Sequence, residues 1–302
     1  MKKLWIIVIC VIVFGGVFMT VGGALGAKRG MYIDNTGIHT FGGGNGNRVT
    51  VADDMDIAPY QNISVAVYSM DIEVIPSDTF GIHIEGRKNQ NLTWSDEGGT
   101  LTVTENGGGW SIFNIDLNSF FDWFTGSAVK LYIPAGTNFE NVDIKTTSGN
   151  MNIPSLNGQS VQLHDTSGDI RLGSVTANSL TAGLTSGGIT ADSVTADTCD
   201  IGVVSGDINV KEINASRLTA GAVSGGVTLS GSIRDQIDAH AVSGDIRLTL
   251  AGKAADYVKT LHTVSGDIRV DNTRMGSVSE SGTGSTLKAH TTSGNIRVAF
   301  GG

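Results

Sequence analysis

SGNMNIPSLNGQSVQLHDT (148–166), SGDIRLGSVTANSLTAGLT (167–185), SGGITADSVTADTCDIGVV (186–204), SGDINVKEINASRLTAGAV (205–223) and SGGVTLSGSIRDQIDAHAV (224–242) are lines of one repeat, 19 residues long. Their leading pairs are Ser148 and Gly149, Ser167 and Gly168, Ser186 and Gly187, Ser205 and Gly206, and Ser224 and Gly225. The series continues at Ser243 and Gly244, then at Ser265 and Gly266 and at Ser293 and Gly294 after steps of 22 and 28 residues. A strict period near 20 is the mark of a solenoid, in which stacked coils bury what no single coil could.

Counting from each Ser as zero, position +3 is Met151, Ile170, Ile189, Ile208, Val227 and Ile246, and position +5 is Ile153, Leu172, Ala191, Val210, Leu229 and Leu248. Positions +13 (Val161, Leu180, Cys199, Leu218, Ile237) and +15 (Leu163, Ala182, Ile201, Ala220, Ala239) repeat the theme. A spacing of two puts side chains on one strand face, and the 19-residue period stacks them into columns. The fold class is therefore all-β: a parallel β-solenoid with strands near +2 to +6 and +12 to +17. Parallel crossovers favour a right-handed coil. The Gly at +1 marks a corner that needs positive φ or a close approach of coils. Asp or Asn at +2 (Asn150, Asp169, Asp207, Asp245, Asp267, Asn295) suits a turn by bonding its own backbone.

The recurring SGDI, SGGI and SGNI tags, the preceding KLYIPAG (130–136) and an N-terminal apolar run resemble the bacterial β-strand-repeat "putative adhesin" family, which includes the LiaG-like envelope-stress proteins. The resemblance covers about residues 58–302. It implies an extracytoplasmic, non-enzymatic envelope protein and offers no catalytic residues to carry over.

Upstream, LWIIVICVIVFGGVFMTVGGALG (4–26) is uncharged and, as a helix, would span about 34 Å, enough for a bilayer core. Residues 1–27 read as an N-terminal transmembrane anchor, with a cleaved signal peptide as the alternative. Lys2 and Lys3 favour a cytoplasmic N-terminus and so a solenoid on the extracytoplasmic side of the cell membrane. Residues 28–57 read as a flexible, Gly-rich spacer. Residues 58–147 read as irregular starting coils, with SMDIEV (69–74) a worn copy of the tag. Trp110, Phe113, Phe120, Phe121, Trp123 and Phe124 form an aromatic insertion there, expected to plug the first coil. Residues 148–302 are the regular solenoid. The two cysteines, Cys10 in the anchor and Cys199 in a core column, are expected to stay unpaired.

The net charge of −9 argues against a nucleic-acid partner. His240, His262 and His290 each lie three residues before a repeat Ser, and Arg247, Arg269 and Arg297 lie four after one. On successive coils these make outward ladders, with Asp245, Asp267 and Asn295 beside the arginines. A ladder of guanidinium groups suits a repeated anion, so this is the candidate binding face. The serines lack a nucleophile-elbow context, and nearly every polar residue obeys the repeat, so no catalytic, cofactor or metal residues are expected. The leading expectation is a membrane-anchored, non-catalytic scaffold or binding module for cell-wall polymer or envelope protein. The alternatives are a carbohydrate-active β-helix enzyme and an accessory to membrane stress signalling. The final strand, left half a coil short, would be an open edge unless the polar insertion around 271–286 folds over it.

Overall fold

A computed structural model describes residues 31–34, 37–40, 48–87, 90–106 and 127–301. The expected membrane span and the aromatic insertion lie outside these residues. Among the described residues, no helix is long and apolar enough to cross a membrane. The chain divides into two units, residues 1–48 and 49–302. The first contributes an antiparallel pair, Met31–Asp34 with Gly37–Thr40. Part of the stretch read as a spacer is thus strand, including Arg48–Asp54 at its end.

The second unit is a stack of long, mostly parallel strands. Met151–Ser167, Ile170–Ser186, Ile189–Ser205, Ile208–Ser224 and Val227–Ser243 pair in parallel, in the 19-residue register read from the sequence. Within Met151–Ser167 the buried positions are +3, +5, +8, +10, +13, +15 and +17, interrupted by pairs of successive outward residues. Each coil therefore has three inward-facing runs. Sequence reading found the first and last and missed the middle. The middle columns, such as Leu156, Val175, Val194 and Ile213 with Ala177, Ala196 and Ala215, mix aliphatics with alanine and carry a weaker signal.

Both ends depart from sequential stacking. The strand Ser285–Ser293 pairs in parallel with Val227–Ser243 on one side and with Tyr257–Ser265 on the other. Its continuation, Ile296–Gly301, lies between Ile246–Ala251 and Ile268–Val270. The tail coil is therefore intercalated, and the coil that precedes it in sequence is outermost. This corrects the expected ladder order: in space it runs 240, 290, 262 for the histidines and 247, 297, 269 for the arginines. It also leaves the final strand flanked on both sides, so that strand is not the edge that needed the insertion around 271–286 as cover. The outer coil is covered instead, by Thr273–Met275 antiparallel to Ile268–Val270 and by Val278–Ser279 antiparallel to Tyr257–Ser265. Lys259, almost fully buried there, is satisfied by the carbonyls of Ala254 (2.6 Å) and Tyr257 (3.0 Å) and by Glu280 (2.8 Å).

The N-terminal end repeats the device. Asn62–Ala66 lies between Asn138–Ser148 and Thr100–Glu105, and Asp71–Ser77 bridges Met151–Ser167 and Ala128–Pro134. Here too the outermost pair of parallel strands, Thr100–Glu105 and Ala128–Pro134, comes second in sequence. Gly81–Arg87 and Leu92–Ser95 close its edge in antiparallel fashion. Tyr60 packs against Phe80 and Phe139, with ring centroids 4.7 and 5.8 Å apart, and fills the core at this end.

Candidate binding face

The Ser-Gly corner organises the surface. A Cβ on Gly168, Gly187, Gly206, Gly225 or Gly244 would lie 1.8–2.0 Å from the carbonyl oxygen of the corner glycine one coil earlier. Gly149 meets Met70 O in the same way at 2.0 Å, which makes Ser69 and Met70 the worn corner of the intercalated coil. Gly294 approaches Gly244, and Gly266 approaches Gly294, following the spatial order of the coils. Each corner N–H except that of the outermost, Gly266, donates to the next Ser carbonyl in space, as in Gly206 to Ser224 at 2.8 Å and Gly294 to Ser265 at 3.0 Å.

The +2 residues act between coils rather than within their own turn. Asn150 Oδ1 accepts from the Asp169 N–H (3.1 Å), Asp169 from Gly188 (2.9 Å), Asp207 from Gly226 (2.6 Å), Asp245 from Asn295 (2.8 Å) and Asn295 from Asp267 (3.0 Å). The alternation of Asp with Gly follows: a carboxylate on one coil needs only an N–H on the next.

On the side of the corner that follows it, Arg247, Arg297 and Arg269 stand on three adjacent strands. Arg274, opposite Arg269 in the antiparallel register, extends the row to a fourth. Asp245 pairs with Arg247 at 2.6 Å and with Arg297 at 3.8 Å, and Asp267 pairs with Arg274 at 2.5 Å. The backbone N–H of Asn295 holds the Asp245 carboxyl below its ordinary range, helped by the Asn295 amide and the two arginines. The middle acid position is Asn295, so four guanidinium groups face two carboxylates.

On the preceding side, position −3 runs in space as Lys145, His164, Gly183, Gly202, Gly221, His240, His290 and His262. His262 and His290 stack with centroids 5.3 Å apart, and His262 Nδ1 sits 3.1 Å from Ser277 Oγ. The three glycines floor a trough of about 680 Å³. Along one wall stand Val204, Val223 and Val242, each about half exposed. The sequence signal was available, as a run of glycine in a column otherwise Lys or His, but it escaped a reading aimed at charged ladders.

Asp165 was also missed. It occupies the −2 column, where Thr146, Thr291 and Thr263 donate their hydroxyls to corner carbonyls of the neighbouring coil: Met70 (3.3 Å), Gly244 (3.0 Å) and Gly294 (2.9 Å). Asp165 is 5% exposed. Its Oδ1 accepts from the Ser167 N–H at 3.1 Å, and its Oδ2 is buried without a hydrogen-bond partner among the described residues. Oδ2 and the Gly149 carbonyl oxygen lie 2.6 and 2.0 Å from the same point, where a Cβ on Gly168 would be. Two acceptors thus border the same small space, and no donor among the described residues reaches Oδ2. Burial pushes the Asp165 carboxyl up to about 6 against the lowering effect of the backbone N–H groups of Ser167 and Thr166.

A carboxyl raised in the folded state binds more protons there than in the unfolded chain, so its contribution to stability falls as pH rises through about 4 to 6 and stays low above. Asp165→Thr is expected to stabilise the protein at pH 7.5 by about 1–3 kcal/mol, because it replaces an unpaired buried acceptor with a donor. The gain over wild type should shrink at pH 4.5. Thermal melts of both proteins across pH check this, and a pH-independent difference would contradict it.

No curated protein matches the chain. Among solved structures, it is similar to a "putative adhesin" from Parabacteroides merdae, with 15% identity, a TM-score of 0.47, and coverage of 86% of this chain and 98% of that one. A "putative lipid binding protein" from Parabacteroides distasonis gives 20% identity, a TM-score of 0.46, and coverage of 84% and 98%. A "putative adhesin" from Bacteroides fragilis gives 14%, 0.45, and coverage of 84% and 96%. The family model described as Toastrack DUF4097 matches residues 60–299, most of the chain, and the protein belongs to that family.

Proposed function

We propose that the protein is a non-catalytic, adhesin-like binding module of the bacterial envelope. Residues 4–26 anchor it in the membrane, and the rod stands on the extracytoplasmic side. Its arginine row engages a repeating anion of a wall polymer. The observation that supports this is the row itself. Like charges on neighbouring strands destabilise a sheet, yet Arg247, Arg297, Arg269 and Arg274 occupy four adjacent strands, and among the described residues only Asp245 and Asp267 are paired to members of the row. At a strand spacing of about 4.8 Å the row presents cations over about 14 Å. That is the pattern a polyanion meets with several contacts at once. Because the chain as a whole is acidic, the attraction is local and should be screened by salt.

The test is co-sedimentation with cell-wall sacculi, with and without their anionic polymers, over a range of salt. Salt-sensitive pelleting is expected, dependent on the anionic polymer and lost when Arg247, Arg269 and Arg297 are replaced by Ser. Pelleting unchanged in that triple variant, or absent altogether, would overturn the reading.

A further inference from the structure

We propose that the trough over Gly183, Gly202 and Gly221 is a second, separate binding site, and that its ligand is an extended neutral glycan strand. It lies before the Ser-Gly corner and the arginine row lies after it, so the two faces do not compete for the same columns.

The repeat gives up side chains here on three consecutive coils, while the same column carries Lys145 and His164 at one end and His240 at the other. Both imidazoles lean inward. His164 Nδ1 lies 2.9 Å from where a Cβ on Gly183 would be, and His240 Nε2 lies 2.1 Å from the equivalent point on Gly221. Over Gly202 nothing lies within 4 Å of that point. The trough is thus deepest at Gly202, with an imidazole nitrogen at each end, Val204 on one side and Asp200 on the other. The trough is open, about 680 Å³, with a largely apolar lining and a few convergent polar groups, a shape that suits a ligand lying along it. The two ring nitrogens stand over Gly183 and Gly221, two coil steps or about 10 Å apart, so a short stretch of the ligand strand lies between them.

Charge selects the class. Lys145, the cation at the rim, is paired with Asp143 at 2.7 Å, and among the described residues no cation is paired with Asp200, so a polyanion is disfavoured. An isolated Asp200 beside two imidazoles is a poor match for a polycation. A sugar strand fits both demands. Its C–H faces lie on the glycine floor and the valine wall, while its hydroxyls donate to Asp200 and exchange hydrogen bonds with His164 and His240.

The open space above Gly202 supplies a clean test. Gly202→Leu puts a side chain into the trough without meeting another atom at Cβ, so the fold should be kept, as an unchanged melting temperature will show. Full-length protein in detergent is titrated calorimetrically with chitohexaose and with cellohexaose. At least one is expected to bind saturably to wild type and to the triple Arg→Ser variant, and to bind Gly202→Leu about tenfold or more weakly, roughly 1.4 kcal/mol or more. Saturation by neither sugar, or equal binding by Gly202→Leu, would overturn the proposal. So would self-association by sedimentation velocity that Gly202→Leu abolishes, since the trough would then hold a second copy of the chain. Sacculus pelleting through the arginine row should survive in Gly202→Leu, so failure of one face is distinguishable from failure of the other.

Discussion

Ending the chain after Thr283 is expected to unfold residues 257–279 along with the residues removed. In a solenoid stacked in sequence order, deleting the last coil exposes the one before it and leaves the rest intact. Here the deleted strands, Ser285–Ser293 and Ile296–Gly301, fill a slot between two other coils. Their removal strips the outer coil of its parallel partners on both walls and takes Leu287, Ile296 and Val298 out of the core. At about 1.5–3 kcal/mol per large aliphatic side chain, roughly 5–9 kcal/mol of burial is lost before the ladder hydrogen bonds are considered. Coils 151–224 touch none of this and should remain folded. Hydrogen exchange read by mass spectrometry gives the answer peptide by peptide. Protection retained across Tyr257–Ser265 in the truncated protein would show that this coil does not depend on the tail strand.

Gly206→Ala is expected to destabilise the protein by about 4 kcal/mol or more, among the largest effects of any single substitution. The new Cβ would sit 1.8 Å from the Gly187 carbonyl oxygen, a rigid backbone atom of the preceding coil, and φ at Gly206 is 141°. Either the two coils separate or the ladder from Gly206 to Ser224 breaks. Four residues earlier, Gly202→Ala meets nothing within 4 Å and should be neutral or stabilising by up to about 1 kcal/mol, as alanine is easier to fix in a strand than glycine. Urea unfolding midpoints of the two variants decide between a corner set by contact and one tolerant of any small residue. Similar midpoints would remove the close approach as the reason for the conserved spacing of the tag along this chain.

The pair of glycines also shows what was legible. Gly206 announces itself because it recurs every 19 residues beside Ser, and the core columns at +3, +5, +13 and +15 announce themselves in the same way. Gly202 recurs only as Gly183 and Gly221, and it matters for the side chain that is missing. Asp165 was harder still: one acid in a column of threonines and aliphatics reads as surface until its neighbours show that the column points inward. The exchanged order of the end coils had no local signature at all. Ser265 and Ser293 carry equivalent tags, so the tag alone does not say which of them follows Ser243 in space. Only the longer connections permit the second to slip beneath the first, and which arrangement wins depends on the covering strands Thr273–Met275 and Val278–Ser279. The arginine row was visible as three residues, but its contiguity and its fourth member, Arg274, come from that exchange.

The exchanged ends bear on how the molecule carries load. A stacked coil pulled from its free terminus peels away one rung at a time, each rung held by a single ladder. Tension applied at Gly301 instead enters at an interior rung that is bonded on both flanks, through Asn295 O to Ile246 N on one side and Ile296 N to Asp267 O on the other. At the opposite end Arg48–Asp54 pairs first with Gly81–Arg87, and the first parallel rung, Asn62–Ala66, likewise lies between two partners. Releasing the first parallel rung from either direction must therefore break two ladders together, so the stack resists stretching along the chain more strongly than its count of rungs alone would give.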